Sequence, residues 1–72
     1  MPITYVVMEI QTNSNGTVGT LINSYTNQNE AESKYHQILA SASVSSLPVH
    51  SAVMVQNDGL LLKSDRYFHG EA

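Results

Sequence analysis

The 72-residue sequence contains no cysteine and no tryptophan, and it has few charged side chains. Without cysteine, the chain can form neither disulfides nor thiolate-ligated zinc or iron–sulfur sites. Charged residues make up 12% of the chain, where about 25% is usual for soluble domains. Because a chain this short buries only about 60% of the surface that its unfolded form exposes, it usually needs further stabilisation, and oligomerisation is the common means that remains.

The charge balance and the lack of long apolar runs exclude two further classes of partner. Six acidic residues against three basic ones give a formal charge of −3, which argues against binding duplex nucleic acid through its phosphates. No stretch approaches the roughly 20 apolar residues of a membrane span, and MPITYVVMEI has no basic region of the kind that begins a secretory signal. We therefore expect one domain, residues 1–72, in the cytoplasm and away from membranes.

Four segments have the composition of β-strands. Residues 3–12 are rich in β-branched side chains, and the NSNG stretch at 13–16 predicts a hairpin turn into a second strand over about 17–26. Alternation at 49–55 predicts a third strand. Asn57-Asp58-Gly59 predicts the second hairpin turn, and residues 60–69 the fourth strand.

A single helix is predicted between the two hairpins. Asn27, followed three residues later by Glu30, resembles a capping box that begins a helix. An apolar stripe follows at helical spacing, at Ala31, Tyr35, Ile38, Leu39 and Ala42. The serines at 41–46 and Pro48 predict that the helix ends by about residue 45.

These elements predict an α+β fold of order ββαββ, a four-stranded antiparallel sheet with one helix packed on one face. One helix covers only one face of such a sheet. Tyr5, Val7, Ala52 and Met54 suggest that the second face is also partly apolar. We expect this face to bind another copy of the same chain, giving a homo-oligomer.

His50 stands among Ser45, Ser46 and Ser51, a combination that raises the question of serine catalysis. No group that would orient the imidazole and no set of oxyanion donors can be identified, so the serines are better explained by the end of the helix. A metal site would need His36, His50 and His69 to converge, with Glu9 or Asp65 as a further ligand, but no HxH or HExxH spacing brings two of them together. We expect no catalytic residues, no metal and no cofactor.

The fourth strand carries most of the positive charge, and it is the best candidate for binding an anionic small molecule. Arginine suits phosphate and aromatic rings suit a base. The predicted ligand-binding residues are Lys63, Arg66, Tyr67, His69, Tyr5 and His50. The alternative is an edge strand whose charges discourage aggregation.

The segment NEAESKYHQILASASVSSLPVHSAVMVQNDG, preceded by YVVMEIQTNSNGTVG, resembles short accessory proteins encoded in phages and prophages of gut Firmicutes. The resemblance covers most of the chain and lies in its overall pattern, with no catalytic motif. It implies that the protein works in the cytoplasm of an infected host cell.

In that setting we expect a non-enzymatic inhibitor of host antiviral defence. It would act as a homo-oligomer that sequesters a nucleotide signal in a pocket between subunits, or that masks a host defence protein. The alternative is a structural or assembly protein of the phage virion. A small hydrolase that uses His50 or His69 is the least favoured hypothesis, because the accessory groups of such a site are missing.

Overall fold

The computed structural model describes residues 3–69, which form two β-hairpins joined by a helix. The first hairpin consists of β1 (Tyr5–Thr12) and β2 (Val18–Tyr25), and the second of β3 (Val49–Gln56) and β4 (Leu61–Phe68). Helix α1 (Gln28–Ser43) connects them. Neighbouring strands are antiparallel, in the spatial order β2-β1-β3-β4. The predicted ββαββ fold is confirmed, and the strand order places β1 and β3 at the centre.

Both hairpins turn in the same way. The amide of Gly16 donates to the carbonyl of Asn13 at 3.0 Å, and the amide of Gly59 donates to that of Gln56 at 2.9 Å. Each glycine has a positive φ, 88° and 90° respectively, which marks a type I turn followed by a left-handed residue. Both predicted turns are therefore confirmed, although Asn15 itself does not adopt a positive φ.

The helix begins and ends through side-chain hydrogen bonds. The side-chain oxygen of Asn27 accepts from the amides of Asn29 at 2.8 Å and Glu30 at 3.4 Å, which have no partner within the helix. At the other end, the Ser43 hydroxyl donates to the carbonyl of Ala40 at 2.7 Å, and the helix stops close to the predicted position. Within residues 3–69, no helix is both long and apolar enough to cross a membrane.

The hydrophobic core lies between the helix and one face of the sheet. It consists of Ala31, Tyr35 and Ile38 from the helix and Val7, Ala52 and Met54 from the central strands. The predicted assignment of Tyr5, Val7, Ala52 and Met54 to the face without a helix is therefore wrong. Val7, Ala52 and Met54 are completely buried, and Tyr5 packs against the same core. The small side chains of Ala31 and Ala52 allow the helix to lie close to this side of the sheet.

The opposite face of the sheet carries no helix, and we call it the helix-free face. Its centre consists of half-buried Val6, Met8, Ile10, Val49, Val53 and Val55. Towards the edges lie four apolar residues that are each more than half exposed, Val18, Ile22, Leu61 and Phe68. Arg66 is the one charged side chain on this face among the described residues. The second face is thus partly apolar, as predicted, but it is built from the other half of each strand's residues and also carries hydroxyl side chains such as Ser51 and Ser64.

Candidate functional site

The six residues of the predicted ligand site lie in four places. His50, Tyr67 and His69 lie together near the last turn of the helix, and Lys63 lies further along β4 against the helix. Arg66 lies on the helix-free face, and Tyr5 is at the opposite end of the sheet, across from Gln56. One chain therefore does not bring the six side chains into a single pocket.

His69 attaches the end of β4 to the helix, and Tyr67 stacks against His69. The rings of Tyr67 and His69 stack with centroids 6.4 Å apart, and Tyr67 lies directly across from His50 in the sheet. The Nε2 atom of His69 lies 2.8 Å from the carbonyl oxygen of Ala42, in the last turn of the helix. Side-chain donors commonly complete the hydrogen bonding of the last helical carbonyls. This contact gives His69 a structural role.

His50, Glu9 and Gln11 form a polar cluster beneath the helix, which we call the Glu9–His50–Gln11 cluster. The Nε2 atom of His50 lies 2.6 Å from Oε2 of Glu9, and the same oxygen accepts a hydrogen bond from Nε2 of Gln11 at 2.9 Å. His50 is only 4% exposed. Gln11 lies directly opposite His50, so the pairing of β1 with β3 brings the three side chains together.

The electrostatics of this cluster favour the ionised carboxylate. Burial raises the pKa of the Glu9 carboxyl, but the hydrogen bonds from Gln11 and His50 outweigh burial and hold the pKa below its ordinary value. The Nδ1 atom of His50 is buried and has no hydrogen-bond partner among the described residues. A general base must reach the proton that it removes, and here Nε2 is engaged by Glu9 while Nδ1 is inaccessible. The arrangement therefore holds β1 to β3.

The neighbouring serines make contacts of their own. Ser51 lies on the helix-free face, as the alternation of side chains predicts, and its hydroxyl is 3.5 Å from the carbonyl oxygen of Ile10. The Ser45 hydroxyl oxygen accepts a hydrogen bond from the amide of Leu47 at 3.0 Å. These contacts explain both serines by the local structure at the end of the helix and the start of β3.

The sequence pattern did not single out Gln11, and it included Glu9 only as a possible metal ligand. The signal that could have identified Glu9 and Gln11 is the alternation of side chains along β1, which places residues 5, 7, 9 and 11 on one face. Once Val7 is known to be buried, Glu9 and Gln11 must lie on the same side of the sheet. A half-buried carboxylate and amide on that side favour a polar partner, and His50 supplies it.

Lys63 forms an ion pair with Glu32 of the helix. The hydrogen bond from the Lys63 ammonium lowers the pKa of the Glu32 carboxyl. Both side chains are partly exposed, so the pair lies at the surface between β4 and the helix. Lys63 is thereby engaged within the chain.

Arg66 lies beside a shallow groove on the helix-free face. The groove has a volume of about 330 Å³ and is lined by Ser51, Val53, Ser64, Asp65 and Arg66. The guanidinium carbon of Arg66 is 5.9 Å from the ring centroid of Phe68. Among residues 3–69, Arg66 takes part in no ion pair. A guanidinium with hydroxyls and an aromatic ring nearby can contact a phosphate group attached to a planar ring system. The Asp65 carboxylate, which accepts from the Arg66 amide at 2.8 Å, also borders the groove.

Within residues 3–69, no group of three His, Asp or Glu side chains is placed to hold a metal ion. No protein-family model matches the chain, and comparison with curated proteins and with solved structures gives no match. The two features that stand out are therefore geometric: the buried Glu9–His50–Gln11 cluster, and the helix-free face with its Arg66 groove.

Proposed function

We propose that the chain is a non-enzymatic binding protein that works as a homo-oligomer, with two copies packed through their helix-free faces and a nucleotide signal held between them. In the cytoplasm of a phage-infected cell, such a protein inhibits antiviral defence by sequestering the signal. The observation that supports this proposal is the helix-free face, apolar at its centre and charged only at Arg66 among the described residues. Exposed apolar surfaces of this extent usually mark an interface.

The size of the helix-free face is compatible with a specific interface. Strands of eight residues extend about 26 Å, and four strands side by side span roughly 19 Å. The face therefore measures on the order of 500 Å² in projection, so a pair buries at least about 1,000 Å², the lower limit for a specific contact. Two sheets packed in this way form a β-sandwich about 10 Å thick.

The distribution of charge favours a second copy as the partner. The chain has a net charge of −3, and among its described carboxylates only Asp65 borders the Arg66 groove, while the others belong to the helix, to the turn at Asp58 and to the helix side of the sheet. Two copies that meet through their helix-free faces keep these acidic surfaces apart, which avoids like-charge repulsion. The same packing places Arg66 and its groove at the contact between subunits.

Val53→Lys is expected to lower the number of subunits, because Val53 lies at the centre of the helix-free face, between Met8 and Ser64. An ammonium there would be desolvated by the opposing sheet. Native mass spectrometry and light scattering measure the subunit number. Val44→Lys is the matched control, since Val44 is 86% exposed beyond the end of the helix. Unchanged mass in the Val53 variant would contradict the proposal.

Arg66→Gln is expected to weaken nucleotide binding at least about tenfold, because in the proposed complex the guanidinium contacts a phosphate. Native mass spectrometry of protein purified gently from phage-infected cells identifies the retained ligand, and calorimetry with that nucleotide measures the affinity. Lys34→Gln, which removes one positive charge from the helix, is the control. Equal weakening in both variants would indicate non-specific attraction, and a purified protein that binds neither nucleotides nor a host protein would refute this function.

Virion assembly is the alternative function, and the uncharged strand β2 is the observation that favours it. A strand without charges suits dense packing of subunits. Detection of the chain in purified phage particles, together with an absence of bound nucleotide, would favour assembly over signal sequestration.

A further inference from the structure

The two edges of the sheet differ in how well they are protected against pairing with another strand. The edge strand β4 carries Lys63, Asp65 and Arg66, and its register with β3 shifts at Met54/Val55. Charges and such irregularities are the usual means of blocking an edge. The other edge strand, β2, reads VGTLINSY, with no charged residue and no proline, and it pairs with β1 without a shift over eight residues. Only β4 has protection of this kind.

The backbone of β2 offers a regular row of hydrogen-bonding groups. In an antiparallel pair, alternate residues point their amide and carbonyl groups towards the partner strand and away from it. The bond from the Asn13 amide to the Thr17 carbonyl fixes this alternation, so that Val18, Thr20, Ile22 and Ser24 point theirs away from β1. No described strand lies beyond β2 in the sheet. The amide and carbonyl groups of these four residues, at every second position of β2, are thus available to a further strand.

Large apolar side chains flank this row on both sides of the sheet. Leu21, opposite Glu9, lies on the helix side and is 58% exposed, whereas Ile22, opposite Met8, lies on the helix-free face and is 62% exposed. Both stand at the middle of β2. A strand added at this edge would cover both side chains while it satisfied the backbone groups.

We propose that β2 pairs antiparallel with β2 of a second copy, across a two-fold axis near Leu21 and Ile22, so that two four-stranded sheets join into one of eight strands. An antiparallel edge is complementary to itself under a two-fold rotation. Because β2 carries no charge, two copies can meet there without the repulsion that like charges on the edge would cause. With the axis at Leu21, Leu21 lies directly opposite its symmetry mate on the helix side, and Ile22 lies diagonal to its own symmetry mate on the helix-free face.

The backbone edge of β2 is distinct from the helix-free face, although the Ile22 side chain borders both, so edge pairing can be tested independently of the function proposed above through Leu21 on the helix side. If both contacts form, each chain has one partner through its edge and another through its face. The axis of the edge contact is perpendicular to the sheet and the axis of the face contact lies between the two sheets, so the two contacts close into a tetramer of dihedral symmetry when these axes intersect. We therefore expect the wild-type chain to be a tetramer.

Leu21→Lys tests the edge without touching the helix-free face, because Leu21 lies on the helix side and contributes no buried core surface. By native mass spectrometry, we expect the tetramer to become a dimer in Leu21→Lys, a dimer in Val53→Lys and a monomer in the double variant. Val44→Lys should remain a tetramer. Circular dichroism confirms that each variant is folded.

Thr20→Pro provides a second test that depends on the backbone alone. It removes an amide that points away from β1, a position where an edge strand tolerates proline, and it should give the same mass as Leu21→Lys. In hydrogen exchange, the amides of Thr20 and Ile22 should be protected in the wild type and exchange at least tenfold faster in Leu21→Lys.

The outcomes separate the two contacts. Wild-type mass in both Leu21→Lys and Thr20→Pro would overturn edge pairing, and if Val53→Lys still lowered the mass, the proposed function would stand. If Leu21→Lys lowers the mass and Val53→Lys does not, the result supports edge pairing and counts against packing through the helix-free face. A wild-type monomer would overturn both.

Discussion

Met54→Ala is expected to destabilise the chain by about 2–5 kcal/mol, because Met54 is one of the two largest completely buried side chains. It lies opposite Val7 and Lys63 in the sheet and belongs to the core beneath the helix. A domain of 72 residues has a total stability on the order of 4–11 kcal/mol, so the loss is a large share of it. Thermal unfolding should shift down by roughly 10–30 °C.

Met8→Ala is the matched control, since Met8 is the same residue type in the neighbouring strand but on the helix-free face and only half-buried. We expect it to cost less than about 1 kcal/mol at low protein concentration, where no partner covers that face. Urea unfolding at two protein concentrations measures both variants. Met54→Leu, which nearly conserves volume, should restore most of the stability. Equal losses of stability in Met8→Ala and Met54→Ala would contradict packing of the helix on the face that carries Met54.

The secondary structure could be predicted because its signals are local. The Asn27 cap, the glycines at 16 and 59 and the alternation in the strands each act within a few residues, and each appears where the sequence places it. The spatial order of the strands could not be predicted in this way. It depends on the pairing of β1 with β3, whose partners are separated by 37 residues, for Thr12 and Val49, to 51 residues, for Tyr5 and Gln56.

The predicted assignment of the two faces is wrong because β1 has apolar residues on both sides and the longer apolar stripe does not face the helix. Val6, Met8 and Ile10 form a longer apolar stripe than Tyr5 and Val7, whose face continues with Glu9 and Gln11. Burial of that polar continuation costs little once His50 pairs with Glu9, and small alanines at 31 and 52 let the helix approach. Side-chain volume and a long-range polar pair therefore decided the face, and neither is visible in a count of apolar residues.

Glu9→Leu is expected to cost about 1–3 kcal/mol, because it leaves His50 buried with no partner at either ring nitrogen. The corresponding double variant, Glu9→Leu with His50→Leu, should recover most of that loss, since replacing both members of a buried polar pair with apolar residues is often nearly neutral. Urea unfolding of the two single variants and the double variant at pH 7 measures the coupling. A stability of Glu9→Leu equal to that of the wild type would show that the pair does not hold β1 to β3.

Glu9→Gln adds a test by pH, because it keeps an oxygen that can accept from His50 but removes the ionisable group. The pKa of Glu9 is lowered in the folded chain, so its contribution to stability is fully present above the unfolded pKa, near 4.5, and is lost as the pH falls through the lower folded value. The free energy of unfolding of the wild type should therefore decline more steeply below that pH than the free energy of the Glu9→Gln variant. Since Glu32 also has a lowered pKa, Glu32→Gln is the necessary comparison. If Glu32→Gln alone flattened the acid limb, the surface ion pair with Lys63 would account for the pH dependence, and the buried cluster would contribute through shape and hydrogen bonding only.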